Sequence, residues 1–374
     1  MPPPSSAGIL VNGVPQGSVA SSSGIKNRIL NGDMRIDQQR AGAAVTVNAA
    51  AVFHSVDKFQ GFGTAAAGTF TMQRQTATPP AGFSHYLRLT TATVDGAPAA
   101  GSNYRLQTFI EGLYLPDFRM GLASAVMFSV GFWVRTALST ATPFSGSIKN
   151  SAQNRSHPFT FIISAANTWE FKSIQIPGDI AGVWLTDTGI GLQLTIDLGS
   201  GATARGPAGV WAGANYSAAT GGIGIINSPA ATFDITGIQV EAGSASTAFE
   251  QIAFGEMVRL CQREFNKSFR VETAPAQNIG VNSGESSGPA GRGAAGFCYW
   301  MIFWPVIMRA TPTVTFFNPG AANAEARDYV LGGDCAATVP NFQTERGCSV
   351  NCNSNAGTPV GAALLIHYTA DARL

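Results

Sequence analysis

The sequence has little charge and few of the residue types that usually build active sites. Only 12% of its 374 residues are charged, and the formal net charge at pH 7 is +1. Such a chain has no field that attracts nucleic acid, and no basic patch interleaved with aromatic residues is present, so we expect no nucleic-acid partner. None of the four histidines has the spacing of a metal site, so we expect structural or surface roles for His54, His85, His157 and His367.

Long hydrophobic runs are absent as well. The longest, at residues 297–308, contains Pro305 and ends before Arg309, which makes it too short to span a bilayer. We therefore expect no membrane insertion and interpret the run as a buried strand. Met1 is followed by a polar stretch rich in proline and glycine rather than by a basic region and an apolar core. We expect synthesis in a cytoplasm, without secretion on a leader of its own.

Cysteine is scarce and unevenly placed. The five cysteines lie in the last third of the sequence: Cys261, Cys298, Cys335, Cys348 and Cys352. An odd number confined to one region argues against a secreted disulfide framework, so we expect free thiols. Two alternatives stay open, a zinc site that combines His367 with Cys335, Cys348 and Cys352, and a single disulfide. Structural zinc sites usually carry two close ligand pairs, which this spacing does not provide.

The sequence does contain a series of strand patterns. Hydrophobic residues make up 45% of the chain, and glycine, proline and asparagine separate them into short runs. In residues 125–136 side chains alternate with a period of two, and we predict that one set faces the core: Val126, Phe128, Val130, Phe132 and Val134. Shorter patterns occur at residues 70–74, 86–90, 104–110, 159–163, 169–176 and 191–197. Together they predict a mostly-β fold with two packed sheets, a jelly-roll β-sandwich.

The period changes within residues 233–269. A strand pattern at 233–240 is followed by apolar residues at helical spacing: Phe254, Met257, Val258, Cys261 and Phe265. These predict a short linking helix in which Cys261 is a packing residue. Further on, residues 297–304 have apolar side chains on both faces, so both faces of that strand should be covered, and another subunit is one candidate cover.

The predicted organisation has four parts. Residues 1–26 are too rich in Pro, Ser and Gly to bury a core, and we predict an arm that attaches the chain to a neighbouring subunit or another protein. Residues 27–248 are predicted to form the jelly-roll β-sandwich and residues 249–270 the linking helix. Residues 271–374 are predicted to form a smaller C-terminal β domain.

No catalytic machinery is recognisable, so we expect no enzyme. The string GESSG at residues 284–288 matches the pattern of a nucleophile elbow. It lies in a Gly/Ser tract without the preceding strand and following helix that an elbow needs, and we predict a loop. The densest acidic group, Asp179, Asp187 and Asp197, is spaced like turn and strand-end residues.

Tryptophan residues indicate a candidate binding surface. Trp133 and Arg135 share the face of residues 125–136 that is predicted to point outward. A tryptophan beside a polar fork suits sugar binding on the face of a sandwich, and Trp169 and Trp184 are further candidates for glycan contacts. The alternative is that a loop or a neighbouring subunit covers this face.

Several strings resemble one protein family. The sequence contains NRILNGDMRIDQQR at residues 27–40, VDKF at 56–59, FDITGIQVEAG at 233–243, TAFE at 247–250 and LCQREF at 260–265. They resemble the N-I-L-N-G-D-F-x-I-D-Q-R-N opening with its later D-R-W, and the F-x-I-T-G-V-Q-L-E-x-G, P-F-E and L-C-Q-R-Y-Y strings, of many bacteriophage tail and virion proteins. The strings PVIMRATPTV at 305–314 and HYTADARL at 367–374 resemble the C-terminal half of that family.

The resemblance implies a virion component of the tail-fibre or distal-tail type, often homotrimeric, with no established enzymatic residues. We therefore expect a tail-fibre or receptor-binding subunit that contacts host surface glycan and assembles with copies of itself. Residues 1–26 would bind other tail or baseplate proteins, and the location would be the tail or surface of a virion made in a bacterial cytoplasm. A capsid- or head-associated fibre or decoration protein is one alternative, and a polysaccharide depolymerase is another.

The opening and the strand at 233–243 are also similar to carbohydrate-binding modules of jelly-roll type. In those modules a structural calcium lies near the two ends of the domain. The resemblance implies Asp33 and Asp234 as candidate calcium ligands, and we expect no other cofactor.

Overall fold

The structure is a computed structural model, and it describes residues 10–11, 14–15, 25–49, 53–64, 67–138, 141–281, 284–291 and 296–374. The predicted arm, residues 1–26, lies outside the described residues except for two short strands and the last two residues, Ile25 and Lys26. Its role in attachment therefore stays a prediction.

Short strands are the main regular structure of the described residues up to 242. In chain order they are β1 (Leu10–Val11), β2 (Val14–Pro15), β3 (Val45–Val47), β4 (Phe53–His54), β5 (Phe59–Gly63), β6 (Thr69–Gln75), β7 (Tyr86–Thr93), β8 (Tyr104–Glu111), β9 (Phe128–Thr136), β10 (Phe144–Lys149), β11 (Ser156–Phe161), β12 (Glu170–Ile176), β13 (Ile190–Asp197), β14 (Arg205–Gly206), β15 (Ala218–Ala219) and β16 (Thr232–Ala242). Each predicted strand pattern of this region overlaps one of them.

Two six-stranded antiparallel sheets form a β-sandwich. The first has the order β11-β10-β13-β8-β5-β4 and the second the order β12-β9-β16-β7-β6-β3. Phe128, Val130, Phe132 and Val134 of β9 are fully buried between the sheets, as the alternation predicts, whereas Val126 precedes the strand and is half-buried. The ring centroid of Phe132 lies 5.1 Å from that of Phe161 on the opposite sheet. The predicted mostly-β fold with a jelly-roll sandwich is confirmed.

The helix α1 (Phe254–Gln262) lies in the segment that follows β16. Met257, Val258 and Cys261 form one buried face that packs against Leu30 and Ile36 of the opening segment. The helix ends before Phe265, which the spacing had placed on the same stripe. That residue instead begins the next strand, because its backbone pairs with Asp371 near the end of the chain.

A second sheet system follows the helix. Its strands are β17 (Phe265–Lys267), β18 (Ser286–Pro289), β19 (Phe297–Phe303), β20 (Thr313–Phe317), β21 (Ala326–Asp328), β22 (Asp334–Thr344), β23 (Gly347–Asn353) and β24 (Ala363–Asp371). The order is β17-β24-β21-β22-β23-β19, with β18 and β20 also paired to β24. The exact boundaries of 27–248, 249–270 and 271–374 stay a prediction.

The prediction of a loop for the GESSG string is wrong for residues 286–288, which form a strand. Ser286 begins β18, which pairs with Leu364 to Ile366 and Ala363 of β24. The missing side chain of Gly288 explains how a strand forms here. A Cβ at that position would lie 2.2 Å from the Trp300 ring, so only glycine lets the indole pack directly on the strand.

The apolar strand β19 is covered on one face only. Cys298, Trp300 and Ile302 are buried in the core of the C-terminal sheet. The other face is exposed, although we expected it to be covered, and it carries Phe297 (63% exposed), Tyr299 (47%), Met301 (39%) and Phe303 (72%). In the described residues β19 pairs only with β23, so it is also an edge strand.

The five cysteines are buried and unpaired in the structure. The described residues contain no helix that is long and apolar enough to cross a membrane.

Candidate functional site

An open groove of about 360 Å³ lies on the outer face of the second sheet. One wall is formed by Trp133 of β9 and Phe171 of β12, which are register partners with ring centroids 5.6 Å apart. The other wall is formed by Phe83 and Phe249, whose centroids are 5.2 Å apart. Phe171 is 41% exposed, so part of this aromatic surface faces solvent.

Two glycines form the floor of the groove. Gly237 has φ of +64° and lies at a bulge where β16 shifts register against β9. A Cβ at Gly237 would be 2.6 Å from the Phe83 ring and 3.2 Å from the Trp133 ring. A Cβ at Gly131 would be 2.7 Å from Ser246 and 3.2 Å from the Phe171 ring. The space between the two walls therefore depends on the absence of both side chains.

Polar groups lie at one end of the groove. Gln239, Ser246 and Thr247 line it there. The Thr247 backbone N–H donates to Glu241 Oε1 at 2.6 Å, which fixes the loop after β16. The Ser246 hydroxyl lies 3.1 Å from the Ser173 hydroxyl, and these hydroxyls can reorient toward a ligand. The groove thus joins aromatic walls to a small polar end, an arrangement that suits a ligand with apolar faces and hydroxyl edges.

A row of charges lies next to the groove. Arg135, Asp234 and Arg88 are neighbours across three strands of the second sheet. Arg88 donates to both oxygens of the Asp234 carboxylate, at 2.8 and 2.9 Å, while Arg135 donates twice to Oδ2, at 2.9 and 2.7 Å. Asp234 is 1% exposed, so the two guanidinium groups compensate a buried carboxylate.

Of the four predicted glycan-binding residues, the structure brings three to this face. Trp133 lines the groove, whereas Arg135 lies under Trp169 with its guanidinium carbon 4.7 Å from the indole centroid. The Trp169 indole N–H donates to the Thr78 carbonyl at 2.9 Å. Trp184 is not at this face, because it packs in the sandwich core with its ring 5.5 Å from that of Trp211.

Asp33 and Asp234, the predicted calcium ligands, each lie beside an arginine of the chain, and the calcium site stays a prediction. Calcium takes six to eight oxygen ligands, and both oxygens of Asp234 already accept hydrogen bonds from arginines. Asp33 Oδ2 accepts from Arg35, and its other oxygen has no hydrogen-bond partner in the structure. The described residues contain no group of three or more His, Cys, Asp or Glu side chains that could hold a metal ion. The two carboxylates are therefore occupied by cations of the chain itself.

The opening string, residues 27–40, forms a junction between the two sheet systems. The Asn31 amide donates to the carbonyls of Ile36 and Asp57, each at 2.9 Å, and its oxygen accepts from the Ile36 N–H. Gln38 donates to Asp57 Oδ2 at 2.6 Å and to the Phe265 carbonyl at 2.9 Å. Burial raises the pKa of Asp57 to about 6, although the hydrogen bonds from Gln38 lower it. These contacts join the sandwich to the first strand of the C-terminal sheet.

The opening segment also completes the second sheet. Beyond Ile235, β16 no longer pairs with β7. The Asn27 side chain there donates to the Ile238 carbonyl at 3.1 Å and accepts from the Val240 N–H at 3.0 Å. The Ile238 N–H donates to the Gly32 carbonyl at 3.0 Å. A Cβ at Gly32 would lie 2.0 Å from the Ile238 oxygen, which explains the glycine of the NGD string.

Sequence reasoning missed Phe83, Phe171 and Phe249 as groove residues. Phe171 lies in a predicted strand, and its alternation with Lys172 could have indicated an outward position. Phe83 and Phe249 lie outside regular strands, and their pairing arises from the tertiary fold. No local sequence pattern predicts the contact between these two residues.

Several solved structures are similar to part of this chain at low identity. The enzymatically active domain of tailspike protein 4 of bacteriophage CBA120 has 11% identity and a TM-score of 0.28, covering 58% of this chain and 21% of that chain. A putative sugar binding protein from Bacteroides thetaiotaomicron has 11% identity and a TM-score of 0.32, covering 58% of this chain and 100% of that chain. TmCBM61 in complex with β-1,4-galactotriose has 11% identity and a TM-score of 0.26, covering 50% of this chain and 88% of that chain.

This chain spans about a fifth of the length of the tailspike structure. No protein-family model matches the chain, and no curated protein matches it in sequence.

Proposed function

We propose that the protein is a non-enzymatic structural component of a bacteriophage particle, a tail-fibre or receptor-binding subunit that contacts host surface glycan. The observation that carries the glycan contact is the groove between Trp133 with Phe171 and Phe83 with Phe249. The NGD opening and the strings at 233–243 and 260–265 resemble phage tail and virion proteins. This resemblance supports a role in a bacteriophage particle and a location on its tail or surface.

The chemistry of the groove suits a sugar ring. A pyranose has apolar C–H faces and a rim of hydroxyl groups, and aromatic side chains bury large apolar area at little conformational cost. The aromatic walls would stack on the ring faces, while the Ser246 hydroxyl at the polar end would bind a sugar hydroxyl. Because Trp133 and Phe171 lie on paired strands of the sheet, these two aromatic rings are held in position before the ligand arrives.

Binding of purified protein to host cell-surface polysaccharide tests this proposal. Trp133→Ala should weaken binding by about five- to 150-fold, since losing an aromatic platform costs roughly 1–3 kcal/mol. Tyr329→Ala, which removes an aromatic residue that is 55% exposed in the C-terminal region, is the matched control and should bind normally. Equal binding by wild type and Trp133→Ala would reject the groove as the glycan site. Release of new reducing ends from the polysaccharide would favour a depolymerase instead.

The proposed assembly is a homotrimer in which the exposed face of β19 is covered by another copy. Four consecutive outward residues of this edge strand are apolar and 39% to 72% exposed. Solvent-exposed apolar edge strands favour association with other chains. Phe303→Glu should shift the mass measured by light scattering toward the monomer, whereas Tyr329→Glu should not. A monomeric wild type would contradict the assembly.

The proposed attachment runs through residues 1–26 to other tail or baseplate proteins. Deleting these residues should leave the sheets folded but prevent incorporation into particles. A particle map by cryo-electron microscopy would locate the protein, and a position on the head would contradict the tail-fibre assignment.

A further inference from the structure

A second cleft, of about 580 Å³, lies where the opening segment meets the C-terminal sheet. Its floor is the outer face of β20 and β24, where Thr315 is the register partner of Thr369 and Thr313 that of Asp371. The alternate residues of both strands, such as Val314, are buried in the core of the sheet. The polar side chains therefore point into the cleft.

The floor offers hydroxyl groups that the protein does not use. Among the described residues, the hydroxyls of Thr313, Thr315 and Thr369 have no hydrogen-bond partner. A threonine hydroxyl can both donate to and accept from a sugar hydroxyl. Phe265 and Phe317 also line the cleft and supply apolar surface beside the hydroxyls.

The carboxylate of the floor is held in place by an arginine. Arg373 Nε donates to Asp371 Oδ1 at 2.9 Å, and the guanidinium lies 4.8 Å from the centroid of Phe265. Burial alone would raise the pKa of Asp371, but the hydrogen bonds and the charge of Arg373 lower it. Asp371 is therefore an ionised acceptor for ligand hydroxyls.

Arg40 adds a cation that the protein leaves without a carboxylate. Its Nε donates to the His54 carbonyl at 3.3 Å. In the described part of the chain no Asp or Glu oxygen lies within 4.0 Å of its guanidinium. The charged residues that line the cleft are Arg40, Arg373 and Asp371, so two positive charges and one negative charge leave a net charge of +1.

We propose that this cleft is a second saccharide site, specific for a sugar that carries a carboxylate. The Arg40 guanidinium binds the sugar carboxylate, the threonine hydroxyls and Asp371 bind ring hydroxyls, and Phe265 and Phe317 contact the apolar face of the ring. A planar guanidinium matches a carboxylate with two parallel hydrogen bonds, which gives selectivity for acidic over neutral sugars. The site is separate from the aromatic groove and does not depend on its function.

Calorimetric titration of the full-length protein with uronate trisaccharides and with their methyl esters tests the proposal. The ester keeps the ring and removes the charge. The acid should bind about tenfold more tightly than the ester, because a charge-assisted hydrogen bond contributes roughly a factor of ten to affinity. Arg40→Gln should abolish that preference, whereas Arg270→Gln, which changes an exposed arginine, should retain it. Equal affinity for acid and ester in the wild type, or no binding of any uronate, overturns the proposal.

Two further variants separate the interpretations. Thr315→Val, nearly isosteric at an exposed position, should weaken the acid and the ester by the same factor, because it removes only a hydroxyl contact. Trp133→Ala should leave uronate binding in the cleft unchanged. If Trp133→Ala abolishes the acid preference and Arg40→Gln does not, the acidic sugar binds in the aromatic groove and the cleft is rejected.

Discussion

Arg135 Nη2 lies 2.7 Å from Asp234 Oδ2, and the same guanidinium stacks under the Trp169 indole. The carboxylate is 1% exposed and also accepts two hydrogen bonds from Arg88. Asp234, which the sequence suggested for calcium binding, and Arg135, which it suggested for glycan binding, therefore belong to one hydrogen-bonded network. That network holds the outer face of the second sheet beside the groove.

Asp234→Asn should destabilise the protein by about 3 kcal/mol, because two arginines lose the charge that compensates them in a buried site. Urea unfolding followed by tryptophan fluorescence measures the change. Glu345→Gln, at an exposed carboxylate whose ion pair has an N to O distance of 3.9 Å, should change stability by less than about 0.5 kcal/mol. Similar losses in both variants would show that the Asp234 network contributes little.

Gly237→Ala should lower stability by about 1–3 kcal/mol and weaken glycan binding together. The residue has φ of +64°, which alanine tolerates poorly, and its Cβ would displace Phe83 from the groove wall. Gly255→Ala, in the helix with open space around it, should be neutral or slightly stabilising. Thermal unfolding and glycan binding of both variants check this. Normal binding by Gly237→Ala would mean that the bulge does not shape the groove.

Lys58→Met should cost about 3–5 kcal/mol, because Glu264 would be left buried without its cation. The two side chains form an ion pair across the junction and are 4% and 6% exposed. The double variant Lys58→Met with Glu264→Leu should recover most of the loss. The double-mutant cycle from urea unfolding measures the coupling, and additive losses would contradict a paired role.

Stability should fall on acidification partly through His54. Burial, together with the charge of Arg373, lowers the pKa of His54 to about 3. The unfolded chain binds a proton near its ordinary pKa of about 6.5, so this residue's contribution is complete above that pH and is lost as pH falls toward 3. His54→Gln should remove about 3 kcal/mol of the wild-type loss between about pH 7 and pH 4. Parallel pH profiles of wild type and variant would refute this.

The sequence predicted what depends on local alternation. The period of two in β9 identified both its core face and the outward position of Trp133, since strand geometry ties neighbouring residues to opposite faces. The end of the helix could not be predicted, because Phe265 fits the helical stripe and only its pairing with Asp371 makes it a strand residue.

The groove depended on contacts that no local pattern encodes. Phe83 meets Phe249 only because the segment after β16 returns across the sheet. The outward face of β19 shows the reverse limit, since apolar alternation indicates burial but does not distinguish a core from an interface between copies. The role of Arg135 was also hidden, because its partners Asp234 and Trp169 come from other strands.

The bulge in β16 links the opening segment to the aromatic groove. On its edge it holds Asn27 and Gly32 of the opening segment, and on its face Gly237 forms the floor of the groove. A tension applied to the chain ahead of Asn27 is transmitted first to these hydrogen bonds and then to the strand beneath the aromatic walls. Pulling on the protein through its leading segment therefore strains the groove before it strains the C-terminal sheet.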